Sequence, residues 1–126
     1  MRTRLKQIVY WCPALSWALL IFMLSHQTGS NLPSLEIPGA DKFVHFALYI
    51  ILCLLLYLGF RRERNYTPAR AVLYAFFVAA IYGAIDEIHQ HYVPERVTSV
   101  VDWMADVAGV GTASLALWIK SLRGRA

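Results

Sequence analysis

Four apolar stretches, each close to the length needed to cross a bilayer, decide most of what this chain can fold into. They run Ile8–Leu24, Phe43–Phe60, Ala69–Ile85 and Val100–Ile119. A helix rises about 1.5 Å per residue, so about 20 mostly apolar residues, within about 17–25, cross a hydrocarbon core of roughly 30 Å. In lipid every backbone N–H and C=O must be satisfied within the protein, which makes helices the solution for runs of this length. The expected fold is all-α. It is a four-helix transmembrane bundle forming a single domain over 1–126, with helices at about 8–24, 43–60, 69–90 and 100–119.

The composition agrees. The chain is 58% hydrophobic and only 16% charged, against about 45–50% and about 25% in ordinary soluble domains. These values exclude a disordered chain, a collagen-like fibre and a disulfide-stapled secreted scaffold. Cys12 and Cys53 fall at different depths of antiparallel helices, so no disulfide is expected. Arg2, Arg4 and Lys6 precede the first stretch as they would a signal peptide. That stretch is longer than a signal's apolar region, and no small-x-small site precedes the polar SHQTGSNLP segment, so it reads as a retained helix.

The formal net charge of +4 does not point to nucleic acid, because the bases punctuate the apolar runs instead of forming a patch. The N-terminus, the Arg61–Arg70 loop and the C-terminal tail hold ten of the twelve Lys and Arg residues and one acid, Glu63. The positive-inside rule therefore places both termini and that loop in the cytoplasm. The opposite side collects Lys42, Arg96, the other seven acids and all four histidines. This segregation implies an outward-facing polar site. Small residues recur every four positions at Ala75, Ala79 and Gly83, and again at Ala105, Gly109 and Ala113. Either the third and fourth helices pair closely through these stripes, or the stripes serve general bundle packing.

Several polar residues need an explanation beyond solvation. Asp41, His45 and Tyr49 share one helix face, with Lys42 adjacent. Asp41 suits an N-cap and Lys42 an interfacial anchor. His45 lies one turn inside an apolar helix, where an ionisable group is a functional hypothesis by default. Tyr82, Asp86 and Gln90 share a face of the third helix, with Glu87 directed elsewhere, toward the first or second helix. The run from Asp86 to His91 invites comparison with H-E-x-x-H, but Asp86 stands where a histidine is required. Asp86 and His89 retain the i, i+3 spacing of half a carboxylate metal site. Ser99 and Asp102 read as a capping box. Asp106 lies a further turn in, where a lone carboxylate costs about 2.5–3.5 kcal/mol on insertion scales. Arg96 is its natural counter-charge and suits bidentate phosphate binding equally well.

Three blocks in order resemble the VanZ-like family of small bacterial membrane proteins. They are D-K-x-x-H at Asp41, Lys42 and His45, D-E-x-x-Q at Asp86, Glu87 and Gln90, and R-x-x-x-x-x-D at Arg96 and Asp102, with Gly109 also fitting. The similarity covers about residues 20–115. Asp106 departs from it, since the family often has Asn there, and this adds a charge. The family's founding member is associated with low-level resistance to the glycopeptide teicoplanin, so the resemblance implies a role in the cell envelope.

Two functions fit these residues. The first is an enzyme acting on a lipid head group or a lipid-linked cell-wall precursor. Lys42 and Arg96 would hold the phosphate, and His45 would transfer the proton. Asp86 or Asp106 would orient the histidine or bind a divalent metal ion, with Glu87 a second base and Gln90, Asp41 and Asp102 lining the site. No Ser or Cys nucleophile is expected beside His45. The second is a non-catalytic binding or structural subunit. Membrane lipids are the expected partners in both, and an oligomer is compatible with either. His45, Asp86, Arg96 and Asp106 are expected to form one coupled cluster.

Overall fold

The computed structural model describes residues 9–28 and 37–124. Within them the chain folds into helices α1 (Cys12–Ser25), α2 (Ala40–Arg62), α3 (Pro68–Gln90) and α4 (Val100–Arg123). Each start has a local cause. Pro13 sits in the first turn of α1, where its missing N–H is tolerated. Gly39, at φ 80°, turns the chain into α2. Thr67 accepts the Arg70 N–H at 3.4 Å and Pro68 occupies the first turn of α3. The expected start of the first helix at Ile8 lies outside the described residues, as do Arg2, Arg4, Lys6, Glu36 and Arg125.

α2, α3 and α4 are long and apolar enough to cross a membrane, which makes the chain a multi-pass membrane protein. The first helix is shorter than its apolar stretch. Residues 9–11 form a turn, and the 14 residues of α1 rise only about 21 Å at about 1.5 Å each. α1 nevertheless lies along most of the bundle. At one end the Tyr10 N–H donates to Glu63 Oε1 at 3.0 Å, and Trp11 packs edge-on to Phe60. At the other end the Ser25 hydroxyl donates to Asp86. Between them Trp17 Nε1 donates to the Leu48 carbonyl of α2, and the Tyr82 hydroxyl of α3 donates to the Ala18 carbonyl.

The core lies among α2, α3 and α4, with Tyr49, Leu52 and Cys53 meeting Ala75, Ala79 and Val110. Leu54, Phe77, Ile81 and Leu115 face outward, as expected of side chains solvated by lipid. Cys12 and Cys53 are not joined in a disulfide. The α3 stripe of Ala75, Ala79 and Gly83 is buried. The α4 stripe does not act as one seam against α3. Ala105 is only half-buried, and Gly109 abuts α2, with the Phe46 carbonyl oxygen where a Cβ would stand. The bare face of Gly83 opens instead onto Asp106 and Tyr49.

The two expected caps also differ. α2 begins at Ala40, so Asp41 lies in its first turn beside Lys42 and does not cap it. Ser99 makes no side-chain cap and Asp102 forms no capping box. Lys42 draws the Asp102 carboxylate away, and Glu87 Oε2 takes the Ser99 N–H at 3.2 Å.

Candidate functional site

The ends of α1 and α3 and the starts of α2 and α4 meet at one end of the bundle, and they carry nearly all its buried polar groups. α2 and α4 run parallel here, and their acids and bases form matched rungs. Lys42 Nζ lies 3.0 Å from Asp102 Oδ1 and 2.8 Å from Asp41 Oδ2. One turn deeper, His45 Nδ1 lies 2.9 Å from Asp106 Oδ1. Spacings of three on α2 and four on α4 put both pairs on facing sides. Asp41 and Asp102 also sit in first turns, where the helix dipole favours negative charge.

A second network ties α1 to α3. Ser25 Oγ donates to Asp86 Oδ2 at 2.7 Å, and Gln90 Nε2 donates to both at 3.2 Å. Ser25 was hidden in the sequence because it opens the polar SHQTGSNLP segment, yet it is the last helical residue of α1 and is buried. Its only sequence signal was its place directly after the apolar run. Glu87 turns to α4, capping Ser99, and also approaches α2. One ligand atom each from His45, Glu87 and Asp106 lies within 4.8 Å of the others. The Asp86 and His89 half-site is not assembled. His89 Nε2 lies 3.1 Å from His26 Nδ1, with the His26 ring stacked on Phe22 and the His89 ring tilted against it.

Arg96 is not the counter-charge of Asp106, which His45 supplies. It follows Glu95, whose φ of 60° turns the α3–α4 connection. Among the described residues its guanidinium has no partner, and it lines a cavity of about 630 Å³. Ile21, Leu24, Val44 and Leu48 form an apolar wall of that cavity, while His45, Tyr49 and Asp86 carry polar groups into it. Lys42 is held by two carboxylates and does not line this space, so the expected pairing of Lys42 with Arg96 around one ligand is not formed. Four buried atoms have neither a hydrogen-bond nor an ion-pair partner among the described residues: the Tyr49 hydroxyl, Asp86 Oδ1, Glu87 Oε1 and Asp106 Oδ2; a fifth, Asp102 Oδ1, has only its ion pair with Lys42.

Apolar spans enclosing a polar cluster at one end define a multi-pass helical membrane protein with a site of its own. Its family follows from comparison. Residues 10–121 match the VanZ/LLP1 family, and the chain belongs to it. No curated protein and no solved structure matches the chain.

Proposed function

We propose that the cavity binds the phosphate of a lipid head group, and that His45 moves a proton during phosphoester hydrolysis or transfer on it. The observation that carries this reading is Arg96, a half-buried guanidinium without a partner among the described residues, facing a largely apolar cavity. A guanidinium matches phosphate oxygens bidentately, and the apolar wall suits the adjoining chain. His45 supplies the proton chemistry. An ionised Asp106 only accepts, so Nδ1 carries the ring proton and Nε2 keeps a lone pair. His45 would take a proton from the attacking water or alcohol, the phosphoester P–O bond would break, and the proton would pass to the leaving oxygen. Family membership supports an envelope setting. A polyprenyl-phosphate-linked cell-wall precursor is one substrate that fits, with a link to glycopeptide response as its physiological context.

Binding to nanodiscs that contain phosphatidic acid or polyprenyl phosphate, against diacylglycerol as control, tests the reading. Arg96→Ala should weaken phosphate-dependent binding about tenfold to a hundredfold, the value of a charge-assisted hydrogen bond of about 1.5–3 kcal/mol. His45→Gln should keep binding and lose turnover. Binding that ignores the phosphate, or survives Arg96→Ala, overturns the reading. Binding without turnover in the wild type leaves the non-catalytic subunit.

The proposal also commits to an outward-facing site in the bacterial inner membrane. Reporter fusions after residues 30 and 95 should lie outside, and those after 65 and 126 inside. α1 must then cross, although its described helix is short. A cytoplasmic signal after residue 95 would reverse the leaflet from which the lipid is drawn.

A further inference from the structure

We infer that His45, Glu87 and Asp106 form a binding site for one divalent transition-metal ion, buried between α2, α3 and α4. One ligand atom from each lies within 4.8 Å of the other two, so small side-chain shifts bring all three to the roughly 2.0–2.2 Å that a Zn²⁺ ion requires. The three residues come from three different helices and are pre-placed by the packing. Asp106 is fully buried and Glu87 is 8% exposed. One oxygen of each, Asp106 Oδ2 and Glu87 Oε1, has no hydrogen-bond partner among the described residues. Two buried carboxylates facing one imidazole leave negative charge uncompensated in a low-dielectric setting, and unpaired buried charge is strongly unfavourable. A dication compensates it.

A second observation points the same way. Tyr49 is completely buried and its hydroxyl has no partner among the described residues. Its ring and Asp106 Oδ2 both press on the bare face of Gly83, each 3.2 Å from where a Cβ would stand. An oxygen-bearing group thus lies beside the cluster with its hydrogen bonding unmet. Glu87 is fixed from behind, because its other oxygen takes the Ser99 N–H, the kind of support that orients metal ligands. An imidazole among the donors favours Zn²⁺ or Mn²⁺ over Ca²⁺ or Mg²⁺. His45 also lines the cavity, so the ion would lie next to the space assigned to the phosphate. With the ion bound, His45 would serve as a ligand instead of the base, and the ion would supply the positive charge that activates a water beside the phosphate. The site stands on the cluster itself and does not depend on the lipid reading.

The test uses the full chain in detergent, stripped with chelator and then titrated with Zn²⁺ alone, Mn²⁺ alone and Ca²⁺ alone. One Zn²⁺ or Mn²⁺ per chain is expected, with far weaker Ca²⁺ binding. Glu87→Gln retains an oxygen for the Ser99 N–H and should weaken metal binding at least about tenfold, as should Asp106→Asn. A His26→Ala/His89→Ala variant should bind as the wild type does. Co²⁺ added to the wild type should give visible bands of nitrogen and oxygen ligation, a readout that needs no variant. Absence of stoichiometric binding overturns the site, as does binding unchanged in Glu87→Gln or lost with the His26 and His89 pair. Nanodisc binding on the same stripped protein separates this failure from failure of the head-group reading.

Discussion

Gly109→Ala will lower the thermal stability of the purified protein, whereas Gly111→Ala, two residues on in the same helix, will leave it unchanged or raise it. A Cβ at Gly109 would run into the Phe46 carbonyl oxygen and crowd the Phe46 Cα at 3.2 Å. That neighbour is backbone, so it cannot turn aside as a side chain would, and α2 and α4 must separate. Overpacking of this kind costs about 1–3 kcal/mol, and a rigid neighbour puts the value toward the upper end. Gly111 has nothing within 4 Å of its Cβ position. There the change gains helix propensity, worth about 0.5–1 kcal/mol. Melting curves of both variants in one detergent check the contrast. Equal effects at the two positions would mean that α2 and α4 do not meet at this point.

The second large effect belongs to the rung one turn above. Asp106→Ala leaves His45, whose side chain is only 15% exposed, without its partner. Removing one member of a buried pair typically costs about 3–5 kcal/mol. His45→Ala strands the fully buried Asp106 in the same way. The double variant removes both charges, so it should cost less than the sum, with a coupling of about 0.5–3 kcal/mol. Arg96→Ala combined with Asp106→Ala should be additive, because no ion pair joins these two residues. Denaturation of the five variants and the wild type in a single detergent decides between the two pairings. Additivity for His45 and Asp106 would show that the rung contributes nothing.

These two predictions separate what the sequence made legible from what it did not. Runs of apolar residues set the number of helices, because hydrocarbon leaves the backbone no alternative. The polar residues near one end, among them His45, Asp86, Glu87 and Asp106, were visible as anomalies in such runs. Their pairing was not. Arg96 looked like the partner of Asp106 by charge alone, but the parallel rise of α2 and α4 put His45 opposite it. Helix phase likewise decided Gly109. Its spacing marked a close contact and could not say which helix made it. Ser25 and the cap at Ser99 depended on where two chain ends lie in space, which no local pattern encodes. The aspartate at 106, where the resemblance leads one to expect an amide, sets a carboxylate against His45 Nδ1.

The closest backbone approach has a mechanical consequence for the site. Phe46 directly follows His45, and Gly109 lies one turn beyond Asp106, so this backbone contact is built into the same two turns as the His45–Asp106 pair. The backbones that carry His45 and Asp106 cannot change their spacing unless α2 and α4 slide past each other, and only the side chains are left to adjust. α1 meets α3 at this end through side chains: the Ser25 hydrogen bonds to Asp86 and Gln90, and the contacts of His26 and Phe22 with His89. Its Ile21, Leu24 and Ser25 wall the cavity opposite that backbone contact. On the proposed reading, a ligand wider than the resting space is accommodated by side-chain shifts along α1, with His45 and Asp106 staying in register.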